Sequence, residues 1–430
     1  MRQIPKIEFQ SPEKVKTFQE ARLRKLLDYL YENSPFYKRY FKLHNISTHS
    51  INTLEDLVNV PPTTKDQLQL NNWDFLCVPK KKIIEYTTTS GTLGKPVTIA
   101  LTENDIQRLN YNEYLSLACA NGKSEDIYQL MVTLDRQFMA GIAYYGGIRK
   151  LGAGLIRVGP GLPGMQLETI QKLKPTILVA VPSFIVRLIE LAKQEGINLS
   201  ETSVKKIICI GESVRSSDFK LNVLGKKIAE AWDIQLYSTY ASTEMQTAFT
   251  ECGYGNGGHL HPELLYVELL DENDYPVRDG EFGEVTITTF EVEGMPLLRY
   301  KTGDIAMKFT EFCNCGRTTL RLGPILGRKQ QMIKLNGTTI YPQGIYDILD
   351  RVEHIQDYLI EAFTGPLGTD MLSVNIVAFE DNKTLVESNL RSALKSGLRI
   401  VPVINFTVPS EIERKQQGGR KAVKFIDNRF

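Results

Sequence analysis

The sequence has few of the features that mark membrane, nucleic-acid-binding or secreted proteins. No apolar run among its 430 residues approaches the roughly 20 that span a bilayer, and the N-terminus MRQIPKIEFQ has no charged segment followed by an apolar one. Its 51 Lys and Arg balance 50 Asp and Glu, so no overall field attracts nucleic acid or a membrane surface. Six cysteines are too few for a disulfide scaffold and are typical of a reducing compartment. We therefore expect a cytoplasmic protein without nucleic-acid or membrane partners.

The pattern of apolar residues predicts an α/β fold with βαβ units. The clearest predicted elements are a helix over 21–40, a strand over 176–181 with a helix from Ser183, a strand over 205–210, a helix over 216–230 and a strand over 234–239. From Tyr266 to Ile305, strands separated by turn signals indicate a β-rich subdomain. The length permits two or three packed units. We predict a large N-terminal domain over 1–328 and a small α+β C-terminal domain over 329–430.

One loop has the composition of a phosphate-binding turn but not its common sequence. The segment TTTSGTLGKP at 87–96 lies between two β-rich stretches. A nucleotide P-loop requires G-x-x-x-x-G-K-[ST], whereas Gly94 follows Gly91 too closely here and Pro96 replaces the final hydroxyl. The glycines, backbone N–H groups, hydroxyls and lysine still suit a polyphosphate. The alternative is a polar surface hairpin, because Thr, Ser and Gly are common in turns.

Four motifs in order along the chain resemble those of the acyl-adenylate-forming (ANL) superfamily. They are TSGTLGKP at 89–96, with Leu93 where the family usually has a second Thr, YASTE at 240–244, YKTGD at 300–304, and Gly327-Arg328 before the interdomain hinge. Within that superfamily, CNCGR at 313–317, the compact length and the ending VKFIDNR resemble the phenylacetate–CoA ligase-like family. The resemblance covers essentially the whole chain. It implies an adenylate-forming fold whose small C-terminal domain is mobile, so that one site carries out two reactions in turn.

The resemblance implies a role in binding ATP for residues of each motif. Glu244 would hold Mg²⁺ on the phosphate oxygens, with Thr243 near the α-phosphate and Tyr240 against the adenine. Thr243 and Glu244 follow the strand predicted over 234–239, and the carboxyl ends of such strands are where α/β sheets bind ligands. Asp304 would accept hydrogen bonds from the two ribose hydroxyls. The complete set of cofactor-binding residues that we predict is Thr89, Ser90, Gly91, Thr92, Gly94, Lys95, Gly211, Glu212, Ser213, Tyr240, Ala241, Asp304, Arg328, Lys334 and Gly337.

The C-terminal part is expected to supply the catalytic lysine. RKAVK at 420–424 resembles the family's G-K-x-x-R ending, which makes Lys421 the cation that stabilises charge between the carboxylate and the α-phosphate. With Thr243 and Glu244 it forms the predicted catalytic set. The chain departs from the family at Arg420 and Lys424, and at Gln330, where the hinge usually has Asp or Lys. Lys334 and Gly337 resemble residues beside the pantetheine tunnel for coenzyme A.

Cysteine and histidine residues outside the ATP-binding motifs suggest a structural metal. Cys252, His259, Cys313 and Cys315 form a Cys₃His set of ligands that suits tetrahedral zinc with no open position. The C-x-C spacing is tighter than the usual C-x₂₋₄-C, so reduced thiols beside a turn are the alternative. His261 is an alternative fourth ligand. The same pattern in relatives of phenylacetate–CoA ligase favours zinc.

The acid that is activated is the least specified part of the prediction. Phe138, Ala140, Gly141 and Tyr145 are aromatic and small residues that could line a flat apolar pocket, or could equally be helix core. We predict an enzyme, an ATP- and Mg²⁺-dependent acid–CoA ligase that converts an aromatic, phenylacetate-like acid through an acyl-adenylate to acyl-CoA, AMP and pyrophosphate. The alternatives are transfer to a carrier-protein thiol and a non-catalytic nucleotide-binding relative. The family also suggests a homodimer.

Overall fold

The chain forms two compact units in the computed structural model, which describes residues 5–89, 96–335, 338–365, 370–398, 401–416 and 424–429. One unit comprises Met1–Thr302 and Ala306–Ile325, and the other comprises Gly303–Ile305 and Leu326–Phe430. The division after Ile325 lies close to the domain boundary predicted after residue 328. That the two units act as separately moving domains stays a prediction.

The first unit contains a hairpin, a large mixed sheet and the helices that cover it. Its helices are α1 (Pro12–Asn33), α2 (Pro35–Leu43), α3 (Lys65–Leu70), α4 (Glu103–Cys119), α5 (Met139–Leu151), α6 (Pro163–Leu173), α7 (Pro182–Gln194) and α8 (Val223–Ala231). Its strands are β1 (Glu85–Thr88), β2 (Thr98–Leu101), β3 (Ile127–Leu130), β4 (Gly154–Arg157), β5 (Ile177–Ala180), β6 (Lys206–Ile210), β7 (Gln235–Ser242), β8 (Thr247–Glu251), β9 (Gly258–His259), β10 (Leu265–Leu270), β11 (Phe282–Thr289), β12 (Tyr300–Phe309) and β13 (Arg321–Leu322). The large sheet has the order β10-β11-β12-β13-β9-β8-β7-β6-β5-β3-β4.

The large sheet is parallel in its α/β half and antiparallel in its β-rich half. Strands β4, β3, β5, β6 and β7 pair in parallel, whereas β7, β8, β9 and β13 pair in antiparallel fashion. Side chains of β5 alternate between two cores: Leu178 packs with the cluster under α7, and Val179 packs with the cluster under α5. Helices therefore cover both faces, which explains why this strand is apolar throughout.

The second unit is a small α+β structure built on its own sheet. Its elements are β14 (Gly327–Arg328), β15 (Ile333–Leu335), β16 (Thr338–Ile340), α9 (Pro342–Leu349), β17 (Asp357–Thr364), β18 (Asp370–Val377), α10 (Lys383–Leu398), β19 (Val403–Phe406), α11 (Pro409–Gln416) and β20 (Phe425–Asn428). The sheet has the order β19-β18-β17-β20, and β15 and β16 form a separate hairpin. Its core contains Ile360, Val374 and Leu390. The predicted fold class, α/β with a β-rich part and a small C-terminal α+β part, is confirmed.

Two predicted helices differ from the observed ones for local reasons. The helix predicted over 21–40 breaks at Ser34, which is extended and precedes a proline, a position where helical conformation is disfavoured. The Ser34 hydroxyl then caps α2 by accepting from the Tyr37 N–H at 3.3 Å. The helix predicted over 216–230 begins only at Val223, because Asn222 is its N-cap and accepts from the Gly225 N–H at 2.9 Å. The strands of the predicted βαβ unit are confirmed.

Gly147 allows α5 to pack directly against α4. A Cβ atom at this position would lie 2.4 Å from the Glu113 Cβ and 2.9 Å from the Glu113 carbonyl carbon. Because neither atom is the end of a flexible side chain, we expect Gly147→Ala to destabilise the first unit by about 1–3 kcal/mol. Thermal unfolding would measure this as a lower melting temperature.

Gly164 provides a matched control in a helix without such a neighbour. It lies in the first turn of α6, and nothing lies within 4 Å of a Cβ built there. Gly164→Ala should therefore leave stability unchanged or raise it by about 0.4–1 kcal/mol, because alanine restricts the unfolded chain. Equal melting temperatures for the two variants would contradict the close packing at Gly147.

Candidate nucleotide and acid site

Three loops that carry predicted site residues lie at one edge of the parallel half of the sheet. Ile210 pairs with Thr239, so Gly211 after β6 lies beside Tyr240 on β7. Thr243 and Glu244 occupy the turn that ends β7. The loop after β3 leads to Phe138, the N-cap of α5. Since neighbouring parallel strands end at the same edge, these loops share the place where α/β sheets bind ligands.

The predicted phosphate-binding loop follows a closed hairpin at the same edge. The Thr89 N–H donates to the Val97 carbonyl at 3.0 Å, and the Thr89 hydroxyl accepts from the Val97 N–H at 3.0 Å. The Thr88 N–H donates to the Gln137 carbonyl at 3.0 Å, which fixes the hairpin to the loop after β3. The remaining predicted loop residues, Ser90, Gly91, Thr92, Gly94 and Lys95, lie outside the described residues.

The loop after β6 uses its polar side chains within the protein. The Glu212 carboxylate accepts from the Ser183 N–H at 2.8 Å and from the Ser183 hydroxyl at 2.9 Å, at the start of α7. The Ser213 hydroxyl donates to the Arg215 carbonyl at 2.8 Å. Both side chains hold the loop in shape. We therefore expect this loop to contact a nucleotide through its backbone.

The turn after β7 is tightly supported. The Tyr240 ring stacks on Phe249 with 6.0 Å between centroids, and the Gln246 N–H donates to the Ser242 carbonyl at 3.3 Å. Gln246 has a φ of 50°, a left-handed conformation that is uncommon for a residue other than glycine. Thr243 and Glu244 are thus presented on a turn held from both ends, and Ala241 lies in β7 just before it.

The β12 motif brings its aspartate to the arginine that precedes the predicted hinge. Asp304 and Arg328 are partners in the pairing of β12 with β14, and the Arg328 Nε lies 3.3 Å from the Asp304 Oδ1. Gly303, inside β12, has a φ of 81°, a conformation that favours glycine. Asp304 is buried. Its predicted role in binding ribose stays a prediction.

Arg108 is a buried cation that sequence reasoning missed. Its guanidinium donates to the carbonyls of Gln246 at 2.8 Å, Leu264 at 2.6 Å and Phe290 at 2.7 Å, and to the Thr247 hydroxyl at 3.2 Å. Burial lowers the pKa of Arg108 to about 10, so it remains charged at neutral pH. It fixes the turn that follows Glu244. A single arginine in a helical segment does not indicate from the sequence that its side chain is buried or which carbonyls it contacts.

The residues predicted to line the acid pocket separate onto two faces of α5. Phe138 and Ala140 pack against the inner cluster that contains Tyr144, and the Gly141 α-carbon lies against the Thr133 carbonyl. Tyr145 instead lines an outer cleft of about 530 Å³ between α4 and α5. The inner face adjoins the strand ends, and we therefore favour Phe138, Ala140 and Gly141 over Tyr145 as pocket residues.

The predicted metal ligands lie together in the β-rich half. The Cys252 and Cys313 sulfurs are 3.6 Å apart, the Cys315 sulfur is 3.5 Å from the His259 Nε2, and the four ligand atoms lie within 4.8 Å of one another. Zn–S bonds of about 2.3 Å and Zn–N bonds of about 2.0–2.1 Å at a tetrahedral centre give separations of about 3.8 and 3.6 Å. Burial raises the pKa of the Cys315 thiol, but hydrogen bonds with His259 and Arg317 lower it to about 5. The donor set therefore fits zinc.

His261, the alternative fourth ligand, is engaged elsewhere. Its Nδ1 lies 2.6 Å from the Glu8 Oε1, and the Glu8 Oε2 accepts from the Arg317 Nε at 2.7 Å. All three side chains are buried. Burial raises the pKa of Glu8, but His261 and Arg317 outweigh it, so that the pKa lies below its ordinary value. The N-terminal segment is thereby joined to the Cys-x-Cys loop.

The C-terminal predictions are only partly within the described residues. Lys421 and Gly337 lie outside them, and Lys334 lies on β15. Arg429 donates to the carbonyls of Gln330 at 3.0 Å and Met332 at 2.9 Å, so the segment after Arg328 is anchored by the end of the chain. In the described part of the chain, helices long and apolar enough to cross a membrane are absent.

Comparison with known proteins identifies the family. Residues 54–292 match the family model of AMP-binding enzymes, and the chain belongs to that family. It is 27% identical over 444 positions to a phenylacetate-coenzyme A ligase of Thermus thermophilus, covering 97% of this chain and 98% of the relative. It is 28% identical over 407 positions to the Escherichia coli enzyme of the same name, covering 92% and 91%. The fold is similar to a crystal structure of 2-hydroxyisobutyryl-CoA ligase in complex with R3-HIB-AMP, with a TM-score of 0.85, 23% identity and coverage of 99% and 92%.

The support that Arg108 gives to the turn after Glu244 can be tested by substitution. Arg108→Met removes the guanidinium donor from the buried carbonyls of Gln246 and Phe290, so we expect destabilisation of about 2–4 kcal/mol and a lower melting temperature. Arg24→Met is the control, because Arg24, on α1, is exposed and donates to the Asn52 carbonyl at 3.0 Å. A melting temperature for Arg108→Met equal to that of the control would contradict this support.

Proposed function

We propose that this chain is an ATP- and Mg²⁺-dependent acid–CoA ligase that works through an acyl-adenylate and releases AMP and pyrophosphate. The observation that carries the proposal is the meeting of three loops at the carboxyl edge of the sheet: the Gly211 loop, the Glu244 turn and the Gln137 loop that holds the hairpin base. Similarity over nearly the whole length to two coenzyme A ligases supports it, as does a fold shared with a ligase bound to an acyl-AMP.

In this proposal each motif has one task in the first reaction. The hairpin loop, with Thr92 and Lys95, holds the phosphates, while Tyr240 packs on the adenine. Mg²⁺ held by Glu244 would offset the charge of the phosphate oxygens. The acid's carboxylate oxygen forms a bond to the α-phosphorus as the bond to pyrophosphate breaks, and Lys421 stabilises the charge that develops there.

In the second reaction the sulfur of coenzyme A attacks the acyl carbon, and AMP leaves. We propose that the small domain rotates about Arg328 between the two reactions. The anchoring of the Gln330 carbonyl by Arg429 supports a pivot that needs no acidic or basic side chain at position 330. Lys334 and Gly337 remain our candidates for residues beside the pantetheine arm.

For the substrate we propose an aromatic acid similar to phenylacetate. The support is the name shared by the relatives and the packing of Phe138 and Ala140 at the inner face of α5. Transfer to a carrier-protein thiol is the alternative second step, and a non-catalytic nucleotide-binding relative is the alternative without chemistry. A homodimer and a cytoplasmic location are further parts of the proposal.

Pyrophosphate release from ATP and Mg²⁺ tests the proposal directly. A panel of aryl, arylacetic and aliphatic acids would be assayed with and without coenzyme A. We expect release that depends on an aromatic acid, with the thioester formed only when coenzyme A is present. Acid-dependent release without a thioester would favour a carrier protein, and no release with any acid would contradict the ligase.

Lys421 should act in adenylation and not in binding ATP. We expect Lys421→Ala to lower acid-dependent pyrophosphate release by about 10²–10³-fold, while the conversion of a supplied acyl-adenylate to the thioester continues. Lys415→Ala is the control, because Lys415 forms an exposed ion pair with Glu361 and should be dispensable. Equal adenylation rates in both variants would contradict the role of Lys421.

We also propose that Cys252, His259, Cys313 and Cys315 hold a structural zinc ion. Zinc would join β8, β9 and the loop after β12, so its loss should lower the melting temperature. We expect one zinc per chain by mass spectrometry, lost in Cys313→Ser and retained in Cys77→Ser, whose thiol contacts the Phe75 carbonyl away from this cluster. Purified wild-type protein without zinc, or zinc retained in Cys313→Ser, would contradict the site.

A further inference from the structure

The short segment that follows Cys315 contacts two of the four proposed metal ligands. The Arg317 Nη1 donates to the Cys315 sulfur at 3.6 Å. Two residues further on, the Thr319 hydroxyl lies 3.5 Å from the Nδ1 of His259, and the Nε2 of the same ring lies 3.5 Å from the Cys315 sulfur. The side chains of Arg317 and Thr319 are buried. A thiol and an imidazole of the ligand set therefore each have a polar partner outside that set.

Partners of this kind act on a metal ion through its ligands. The tautomer of a histidine ligand is set by the group that its other ring nitrogen contacts. A Thr319 hydroxyl that accepts from the Nδ1–H leaves the Nε2 lone pair of His259 free for a metal. Three thiolates, a neutral histidine and Zn²⁺ leave one negative charge on the centre, and a buried charge requires a compensating partner. Arg317 supplies a positive charge and a donor at the Cys315 sulfur.

The N-terminal segment holds Arg317 in place from the far end of the first unit's sequence. The Glu8 Oε2 accepts from the Arg317 Nε at 2.7 Å, across 309 positions of sequence, and the guanidinium carbon lies 5.3 Å from the centroid of the Phe9 ring. The Thr318 N–H donates to the Glu8 carbonyl at 2.9 Å, and the Thr318 hydroxyl donates to the Gln10 carbonyl. These contacts fix the direction in which the guanidinium donates to the sulfur.

Joining two segments does not by itself explain this use of an arginine. Arg299 is also buried and paired with a glutamate, Glu268, but its Nη atoms donate to the carbonyls of Val60 at 2.7 Å and Asp274 at 2.8 Å. The Nη1 of Arg317 donates to a sulfur atom instead. A neutral thiol is a weak acceptor, whereas hydrogen bonds to ionised acceptors are about twice as strong as those between neutral groups. The contact therefore favours a thiolate, which is the form that binds a metal.

We propose that Arg317 and Thr319 are positioning residues of the metal centre, with Arg317 stabilising the Cys315 thiolate and Thr319 orienting His259. Residues 8–10 complete the centre, because they hold the guanidinium against the sulfur. The inference rests on the zinc site of the proposed function. It extends that site to residues that do not bind the metal, and it makes the N-terminal segment a part of zinc binding.

Competition with a chelator of known zinc affinity, on the full-length protein, is the first measurement. We expect Arg317→Met and Thr319→Val each to weaken zinc binding by about 10–100-fold, as is typical when a partner of a metal ligand is removed. Arg299→Met is the matched control, because it also removes a buried arginine from a glutamate partner, Glu268. It should lower the melting temperature and leave the zinc affinity unchanged.

The absorption spectrum of the Co²⁺-loaded protein separates an effect on the ligands from a general loss of stability. Arg317→Met should move the thiolate-to-Co²⁺ charge-transfer band to longer wavelength, because a sulfur that has lost a donor holds its electrons less tightly. Arg299→Met should leave the band at the wild-type position. Glu8→Gln, which keeps the size of the side chain and removes its charge, should shift the band in the same direction by a smaller amount.

The outcomes separate this inference from the proposals on which it rests. Wild-type affinity and band position in Arg317→Met, or an equal loss of affinity in Arg299→Met, overturn the inference and leave the zinc site intact. If Arg317→Met does not fold, wild-type values in both Glu8→Gln and Thr319→Val overturn it. A wild-type protein that binds neither Zn²⁺ nor Co²⁺ overturns the zinc site and this inference together. If no acid is activated, the ligase proposal fails, whereas weaker zinc binding in Arg317→Met with the band shift still supports the inference.

Discussion

Parallel hydrogen bonding between β6 and β7 fixes the position of the whole candidate site. Because Ile210 lies opposite Thr239, the two strands end together and their following loops emerge side by side. β5 and β3 continue the same parallel pairing, which brings the loop before α5 to that edge. A slip of one residue would turn each side chain of β7 to the opposite face. Side chains along β5 and β6 point alternately into two different packed cores. A slip between neighbouring strands would disrupt this packing, so core packing sets the geometry of the site.

The support for the Glu244 turn comes from buried polar contacts and not from apolar packing alone. The Arg108 guanidinium has lost its hydration, and four oxygen acceptors from three separate segments offset that loss. The guanidinium favours one arrangement of these segments, because three of its partners are backbone carbonyls that have fixed directions. A similar arrangement at Glu8 joins the N-terminal segment to Arg317 beside the cysteine cluster. In both cases one charged side chain connects segments that are distant in sequence.

The sequence indicated the parts of the molecule that depend on local pattern. The βαβ unit follows from runs of apolar residues, and the glycine of the T-G-D motif, Gly303, has a backbone conformation inside β12 that glycine adopts most easily. The Cys₃His set was found because soft ligands are rare in this chain. The break at Ser34 was missed because the apolar period continues across it, although the following proline was a usable signal. Arg108, Glu8 and Glu113 were missed because their partners lie far away along the chain, and burial of a charged residue has no local pattern.

Two kinds of buried polar residue in this protein have different physical consequences. Arg108 and Glu8 have their hydrogen-bonding capacity met by the protein, and they therefore contribute order. Glu113 and Gln246 do not, and burial raises the pKa of Glu113 to about 8, so that it remains largely protonated at neutral pH. A neutral carboxyl can both donate and accept, whereas a carboxylate can only accept. The unpaired atoms thus lower the stability of the protein, by about 1–3 kcal/mol for each buried atom that is left without a partner.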